Sequence, residues 1–236
     1  MQIVLSTKPT SWTTTVKATI DRLGALFGIV LLAPLWICIA LAIAVTMGRP
    51  VLFIQNRVGK DEKIFRMFKF RTMREPPPSP PGEGITDLAR TRSDAERITR
   101  LGRWLRRSSL DELPQLLNVL RGEMSLVGPR PQLAAYLPRY TPAQRQRHAV
   151  RPGMTGLAQV CGRNLLTWER KFELDVEYVH NWSLRGDLWL LLRTVSVVVS
   201  GKGVEAAGSV TPTEFRGTLD RVAVRATSDA LDRQAA

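Results

Sequence analysis

Asp111 and Glu112 are adjacent in the run Ser109-Leu110-Asp111-Glu112-Leu113-Pro114. Leu113, Leu116, Leu117 and Leu120 follow at helical spacing, and Gly122 supplies a stop. Pro114 lacks an N–H and is harmless only in the first turn of that helix, so the two carboxylates fall at or beside the positive end of its dipole. Carboxylates placed there can act on a bound ligand, or they can form a capping box with an acidic first turn. The segment alone leaves both readings open.

Cations gather on either side of the pair. Arg100, Arg103, Arg106 and Arg107 share one face of a predicted helix, a stripe that binds anions or lies against anionic lipid headgroups. In Gly128-Pro129-Arg130-Pro131 an arginine is clamped between rigid neighbours, which lowers the entropy lost when it grips a phosphate or a base. Arg151-Pro152-Gly153 and Gly162-Arg163-Asn164 are glycine-containing turns with a cation attached, shapes that let backbone N–H groups approach an anion. None matches a P-loop or a dinucleotide fingerprint. His148 and His180 are too few for a metal cluster.

The elements that must position these residues can be read in outline. Val51 to Gln55 and Ile64 to Arg71 read as two strands turning near Gly59, with Phe68 and Phe70 alternating against Lys69 and Arg71, so that the hairpin presents two cations. Pro76, Pro77, Pro78, Pro80 and Pro81 make 75–84 a surface loop. Trp168, Phe172, Val176 and Val179 form the apolar face of an amphipathic helix. A second apolar block, Leu188 to Val199, is too short to span a bilayer, and with Trp182 and Trp189 beside it reads as interfacial or as core.

The chain has 236 residues, 44% of them apolar, and a net charge of +13, which calls for nucleic acid, an anionic membrane or a phosphorylated ligand nearby. The basic positions are interleaved with turn glycines and prolines, and no nucleic-acid-binding module is present, so nucleic acid is not expected as a partner. Cys38 and Cys161 form neither a disulfide framework nor a thiolate metal site. From Leu23 to Gly48 no charge occurs over 26 positions, long enough to cross a bilayer core. Such an apolar region is too long for a signal peptide. Lys17 and Arg22 precede it, and Arg49, Arg57, Lys60, Lys63 and Arg66 follow it, so both flanks carry the cytoplasmic signature. Pro34, near its middle, can bend a membrane helix back toward its own side. The residues leave a kinked spanning helix and a re-entrant hairpin open.

Lys17 with Asp21, the apolar run with Pro34, Gln55-Asn56-Arg57, Phe68-Lys69-Phe70-Arg71-Thr72-Met73, Ser109-Leu110-Asp111-Glu112-Leu113, Asn118-Val119-Leu120, Ser125-Leu126-Val127-Gly128-Pro129-Arg130-Pro131 and Arg151-Pro152-Gly153-Met154-Thr155-Gly156 occur in this order. This series resembles the bacterial sugar transferases, the monotopic phosphoglycosyl transferases, over about residues 16 to 217, since Thr213-Glu214-Phe215 also looks like the tail of the family's short members. The resemblance implies an α+β, mostly helical membrane enzyme: a loose leader (1–15), a re-entrant membrane anchor (16–48), a catalytic part (49–203) with a small β-hairpin and interfacial amphipathic helices, and a tail (204–236) whose last part is disordered. It implies a UDP-sugar donor, a polyprenyl phosphate acceptor, Mg2+, membrane lipids as neighbours and a place on the cytoplasmic face of the bacterial inner membrane. N-acetylated donors are favoured by the likeness to short members, and a homodimer is left open. Carried over residue by residue, Asp111 is the nucleophile, Glu112 is a Mg2+ ligand with Asp111 beside the metal, and Arg106, Lys69, Arg130 and Arg151 contact phosphate or nucleotide.

Overall fold

The computed structural model describes residues 11–74, 96–162, 165–200, 214, 215 and 217. Residues 1–10, the proline-rich loop, Arg163 and most of the tail expected from residue 204 lie outside them. The chain opens with one helix, α1, Ser11–Met47, of 37 residues. Residues 11–15, expected in a loose leader, form its first turn, because extending an existing helix adds a hydrogen bond for each residue fixed. Pro34 lies inside it, where the missing N–H removes one backbone hydrogen bond without ending the helix. Trp12–Met47 is long and apolar enough to cross a membrane, and Leu23, Phe27, Val30, Leu41 and Val45 point outward with no protein over them.

The other face of α1 is docked on the rest of the chain along its length. Ala25 is buried with Phe65, Met67, Leu116, Val119 and Met124; Ile39 and Ile43 are buried with Phe70 and Leu105. Both ends of α1 are tied down by polar groups. Near the start, Lys17 Nζ donates to Asp187 Oδ2 at 2.5 Å and to the Val127 carbonyl at 3.1 Å, while Asp21 accepts from Ser125 Oγ at 2.7 Å and the Leu126 N–H at 3.1 Å. Asp187 also accepts from Tyr178 at 2.8 Å and from the Trp182 indole at 3.0 Å. At the far end the buried Arg71 guanidinium caps the helix, donating to the carbonyls of Met47, Gly48 and Arg49. A cation there answers the negative end of the dipole. Of the two hairpin cations, Arg71 is therefore a cap rather than a presented charge.

The hairpin itself is β1, Leu52–Val58, antiparallel to β2, Ile64–Phe70, with Phe53 opposite Lys69 and Leu52 opposite Phe70. Short helices follow: α2, Arg100–Arg107, and α3, Gln115–Leu120. Next come β3, Ser125–Val127, and α4, Pro142–Arg145, and β4, Gly153–Thr155, pairs parallel to β3. The chain ends its described helices with α5, Leu157–Cys161, α6, Trp168–His180, and α7, Leu184–Ser200. A mostly helical α+β fold with two small sheets matches the expected class. Gly102 in α2 is required by packing, since a Cβ there would stand 2.0 Å from the Thr72 carbonyl. In α3, Asn118 donates to the Arg66 carbonyl at 2.7 Å and accepts from the Phe68 N–H at 3.1 Å, so its side chain fastens the helix to β2. Phe215, from the segment assigned to the tail, is buried among Tyr136, Tyr140, Trp168 and Phe172, with ring centroids 5.0 Å from Phe172 and 5.6 Å from Tyr140. On α7, Leu190 is buried while Leu188, Trp189, Leu192 and Val195 are exposed, so this block carries an outward apolar face.

Asp187 collects three donors from α1, α6 and the turn before α7, and replacing it leaves the mostly buried Lys17 ammonium with the Val127 carbonyl at 3.1 Å and a longer ion pair to Asp21 at 3.7 Å. Asp187→Ala is expected to cost about 1–3 kcal/mol, and Asp187→Asn less, read as a drop in the thermal midpoint of the detergent-solubilised protein.

Candidate active site

The acid pair sits in a tighter turn than its sequence suggests. Leu110–Glu112 forms one turn of 3-10 helix, and α3 starts only at Gln115, with Pro114 as its flanking residue. Ser109 adopts the left-handed conformation, φ 58° and ψ 16°, and its hydroxyl makes no capping bond. The Ser109 N–H donates to the Arg106 carbonyl instead of a Glu112 carboxylate. The capping-box reading therefore fails at both of its bonds, and the two carboxylates are left for other partners.

Glu112 finds them in space. Lys69 Nζ donates to its Oε1 at 2.8 Å, Arg130 Nη2 to the same oxygen at 2.6 Å, and Arg130 Nη1 to Oε2 at 3.3 Å. Lys69 reaches it because the alternation of β2 turns its side chain away from the face of Phe68 and Phe70. Arg130 is aimed by its loop. The Gly128 N–H donates to the Thr155 carbonyl at 2.8 Å and the Gly153 N–H to the Pro129 carbonyl at 2.9 Å, and Cβ atoms on either glycine would collide with the opposite backbone. The Arg130 carbonyl accepts from Arg147 Nη2 at 2.7 Å. Arg147 is itself fully buried, paired with Asp175 at 2.5 Å and bonded to the Tyr140 hydroxyl at 3.2 Å.

Asp111 is only 7% exposed, and its carboxylate makes no hydrogen bond among the described residues. Burial and the neighbouring Glu112 charge push it up to about 6, against the pull of Lys69, Arg106 and Arg130. Burial also opposes ionisation of Glu112, yet Arg130 and Lys69 hold it well below the usual carboxylate range. Two adjacent acids are thereby driven apart: one is a fixed anion, the other a buried carboxylate poised near neutrality.

Of the expected cations, Lys69, Arg106 and Arg130 surround the pair. Arg106 Nε donates to Thr72 Oγ1 at 2.9 Å, which turns it inward, while Arg100, Arg103 and Arg107 stay exposed. The Arg151 backbone packs against Gly128, its carbonyl 2.5 Å from where a Cβ there would stand, and its guanidinium makes no hydrogen bond among the described residues. Arg163 lies outside the described residues. Sequence reasoning missed Arg147 and Asp175. The available signal was Asp175 itself, a charge on the apolar face of α6 between Phe172 and Val179.

Among the described residues no cluster of three or more His, Cys, Asp or Glu side chains could hold a metal ion. Asp111 and Glu112 offer two hard carboxylates encircled by three cations. That donor set fits Mg2+ when phosphate oxygens and waters complete the shell, the usual way Mg2+ is bound beside a phosphorylated substrate.

A helix apolar enough to cross a membrane and an acid pair set among cations fit a membrane-associated enzyme, and comparison with known proteins gives the family. Residues 12–201 match the model of the family described as bacterial sugar transferase. The chain is 48% identical over 174 residues to the Bacillus subtilis protein named uncharacterized sugar transferase EpsL, covering 74% of this chain and 82% of that one. It is 42% identical over 189 residues to the UDP-glucose:undecaprenyl-phosphate glucose-1-phosphate transferase of Caulobacter vibrioides, 76% of this chain and 68% of that one. Against the galactosyl transferase CpsE of Streptococcus agalactiae it is 38% identical over 195 residues, 80% of this chain but 43% of the longer relative. The chain belongs to the bacterial sugar transferase family.

The raised pKa of Asp111 has a consequence for stability. The folded state holds this proton more tightly than the unfolded chain, whose value is near 3.8, so the stabilisation is complete below that value and lost as pH rises through about 6. Near neutral pH the ionised carboxylate is a net cost. Asp111→Asn is expected to gain about 1–3 kcal/mol at neutral pH, seen as a raised thermal midpoint, with the gain shrinking below about pH 4.

Proposed function

We propose that the chain transfers a sugar 1-phosphate from a UDP-sugar to polyprenyl phosphate, through a phosphosugar carried on Asp111. The observation that supports this most directly is the split acid pair: a buried Asp111 carboxylate without a hydrogen-bond partner among the described residues, beside a Glu112 already neutralised by Lys69 and Arg130. A satisfied carboxylate is a poor nucleophile, and Asp111 is not satisfied. In the first half-reaction an Asp111 oxygen attacks the sugar-bearing phosphorus, and the bond from that phosphorus to the bridging oxygen breaks, with UMP leaving with the electron pair. In the second, a phosphate oxygen of the lipid attacks the same phosphorus and the Asp111 oxygen departs as carboxylate.

The difficulty in the first step is a carboxylate approaching a diphosphate. Lys69, Arg106 and Arg130 supply fixed positive charge where negative charge accumulates, and need not reorganise as it does so. Mg2+, held by Glu112 and Asp111 with phosphate oxygens, would spread the remaining charge. With cations already around the pair, its binding is expected to be weak until a diphosphate joins. Two of the named relatives carry UDP-glucose or galactosyl transfer in their names, so the donor proposed is a UDP-hexose rather than an N-acetylated sugar.

The lipid acceptor requires the site at headgroup depth, on the cytoplasmic face of the inner membrane. The outward apolar faces of α1 and α7, with Trp189, support that placement. The docking of Lys17 and of the Met47–Arg49 carbonyls on one and the same domain supports a re-entrant α1, whose two ends share one side of the membrane.

Incubation with UDP-glucose and Mg2+ should give a phosphosugar adduct by intact mass, absent in Asp111→Asn; no adduct on any UDP-sugar would overturn the covalent route. The rate of UMP release should rise about tenfold per pH unit up to about pH 6 and level above it, because only ionised Asp111 attacks. Cysteines introduced as Trp12→Cys and Arg49→Cys, in a protein lacking Cys38 and Cys161, should both label from the cytoplasmic side of sealed vesicles. Labelling from opposite sides would establish a spanning helix instead.

A further inference from the structure

Arg57 belongs to the Gln55-Asn56-Arg57 motif, to which no role has yet been attached. It lies near the end of β1, opposite Phe65 on β2, and its backbone also bridges to Leu133, while the Val58 N–H donates to the Gln132 carbonyl at 3.0 Å. These contacts bring the strand against the segment that follows Arg130. The side chain is half-buried. Its Nη2 donates to Gln55 Oε1 at 2.6 Å and its Nη1 reaches the Pro131 carbonyl at 3.4 Å, both uncharged acceptors, and its Nε is buried with no partner among the described residues.

Other inward arginines are compensated. Arg147 has Asp175, Arg130 has Glu112, and Arg71 has three carbonyls at the negative end of α1. Arg57 has no carboxylate within ion-pair distance among the described residues. Burial and the Arg130 charge lower it to about 10, so it remains a cation near neutral pH while facing a like charge. A half-buried guanidinium beside another one, with unused donors and no counter-ion, is costly unless an anion joins them. Arg130 is open to such an anion, its side chain 43% exposed even while bonded to Glu112.

We propose that Arg57 and Arg130 form a phosphate subsite, in which Arg57 binds non-bridging oxygens of a substrate phosphate group. Phosphate fits because the guanidinium presents paired N–H donors in a plane, and because a dianion between two arginines removes their mutual repulsion. The subsite rests on the proposed transfer reaction, in which the phosphate comes from the donor diphosphate or from the lipid acceptor. The bonds to Gln55 and Pro131 then orient the guanidinium rather than use it up.

The test titrates inorganic pyrophosphate, with Mg2+ and at fixed ionic strength, into the full chain in lipid nanodiscs. Arg57→Gln should weaken pyrophosphate binding by about tenfold or more with the thermal midpoint within about 2 °C of wild type, and Arg57→Lys should recover part of the affinity. Arg170→Gln, an exposed change on α6, should leave binding unaltered. Competition assigns the source: UDP losing its ability to displace pyrophosphate in Arg57→Gln points to the donor, a short polyprenyl monophosphate losing it points to the acceptor, and either supports the subsite. Equal pyrophosphate affinity in wild type and Arg57→Gln would overturn it. So would a loss that tracks a fallen midpoint and is not recovered by Lys, which would make Arg57 a staple between β1 and Pro131. A wild-type protein that binds pyrophosphate through Arg57 yet consumes no UDP-sugar would sink the transfer reaction and leave the subsite standing.

Discussion

The grip of Lys69 and Arg130 on Glu112 is the contact from which the rest of the site follows. It joins three pieces of chain that are remote in sequence: strand β2, the turn that carries the acids, and the loop after β3. It also sets the electrostatics. Each cation that turns to Glu112 is a hydrogen bond withheld from Asp111, and each increment of negative charge fixed on Glu112 makes the neighbouring carboxylate harder to ionise. Two identical functional groups, one bond-rich and one bond-poor, are thus produced by a single set of contacts. Their titration belongs to the pair, since neither acid can change charge without altering the other.

Behind that contact lies a chain of buried polar links that has no exposed member in its middle. Phe215 packs on Tyr140, the Tyr140 hydroxyl accepts from Arg147, and Arg147 holds both Asp175 and the carbonyl of Arg130. The aromatic cluster therefore supports the loop that aims Arg130, although none of its members touches the acid pair. Asn118 does the corresponding work on the other side, locking α3 to the strand from which Lys69 projects. Such buried, bonded groups favour a single arrangement because alternatives would leave more polar atoms unpaired.

What could be read from the residues was whatever depends on local pattern. The uncharged run into Gly48, the alternation of Phe68 and Phe70, the stop at Gly122 and the adjacency of Asp111 and Glu112 all carry their own signal, and the corresponding elements are present. Lost to such reading was everything decided by a partner far away in sequence. Nothing near Arg71 announces that it will cap a helix ending at Met47, and nothing near Arg147 announces Asp175. The start of α3 was misplaced by the same limit. Ser109, Asp111 and Glu112 have the composition of a capping box, and only the cations arriving from β2 and from Arg130 draw Glu112 off its local role and let the chain take a 3-10 turn instead. The four-arginine stripe was legible as a stripe, but contacts from the segment after β2, with Thr72 and Met73, set Arg106 apart from its neighbours.

The fastening of α1 at both of its ends has a mechanical side. Lys17 and Asp21 are held by β3 and Asp187, and the carbonyls of Met47, Gly48 and Arg49 by Arg71, so the helix cannot slide or tilt without pulling on the elements that carry the acid pair. A change in its tilt, or a turn about its own axis, is passed through β3 and Arg71 to the body of the chain and so to the pair Asp111 and Glu112, which makes the long helix a lever rather than a tether.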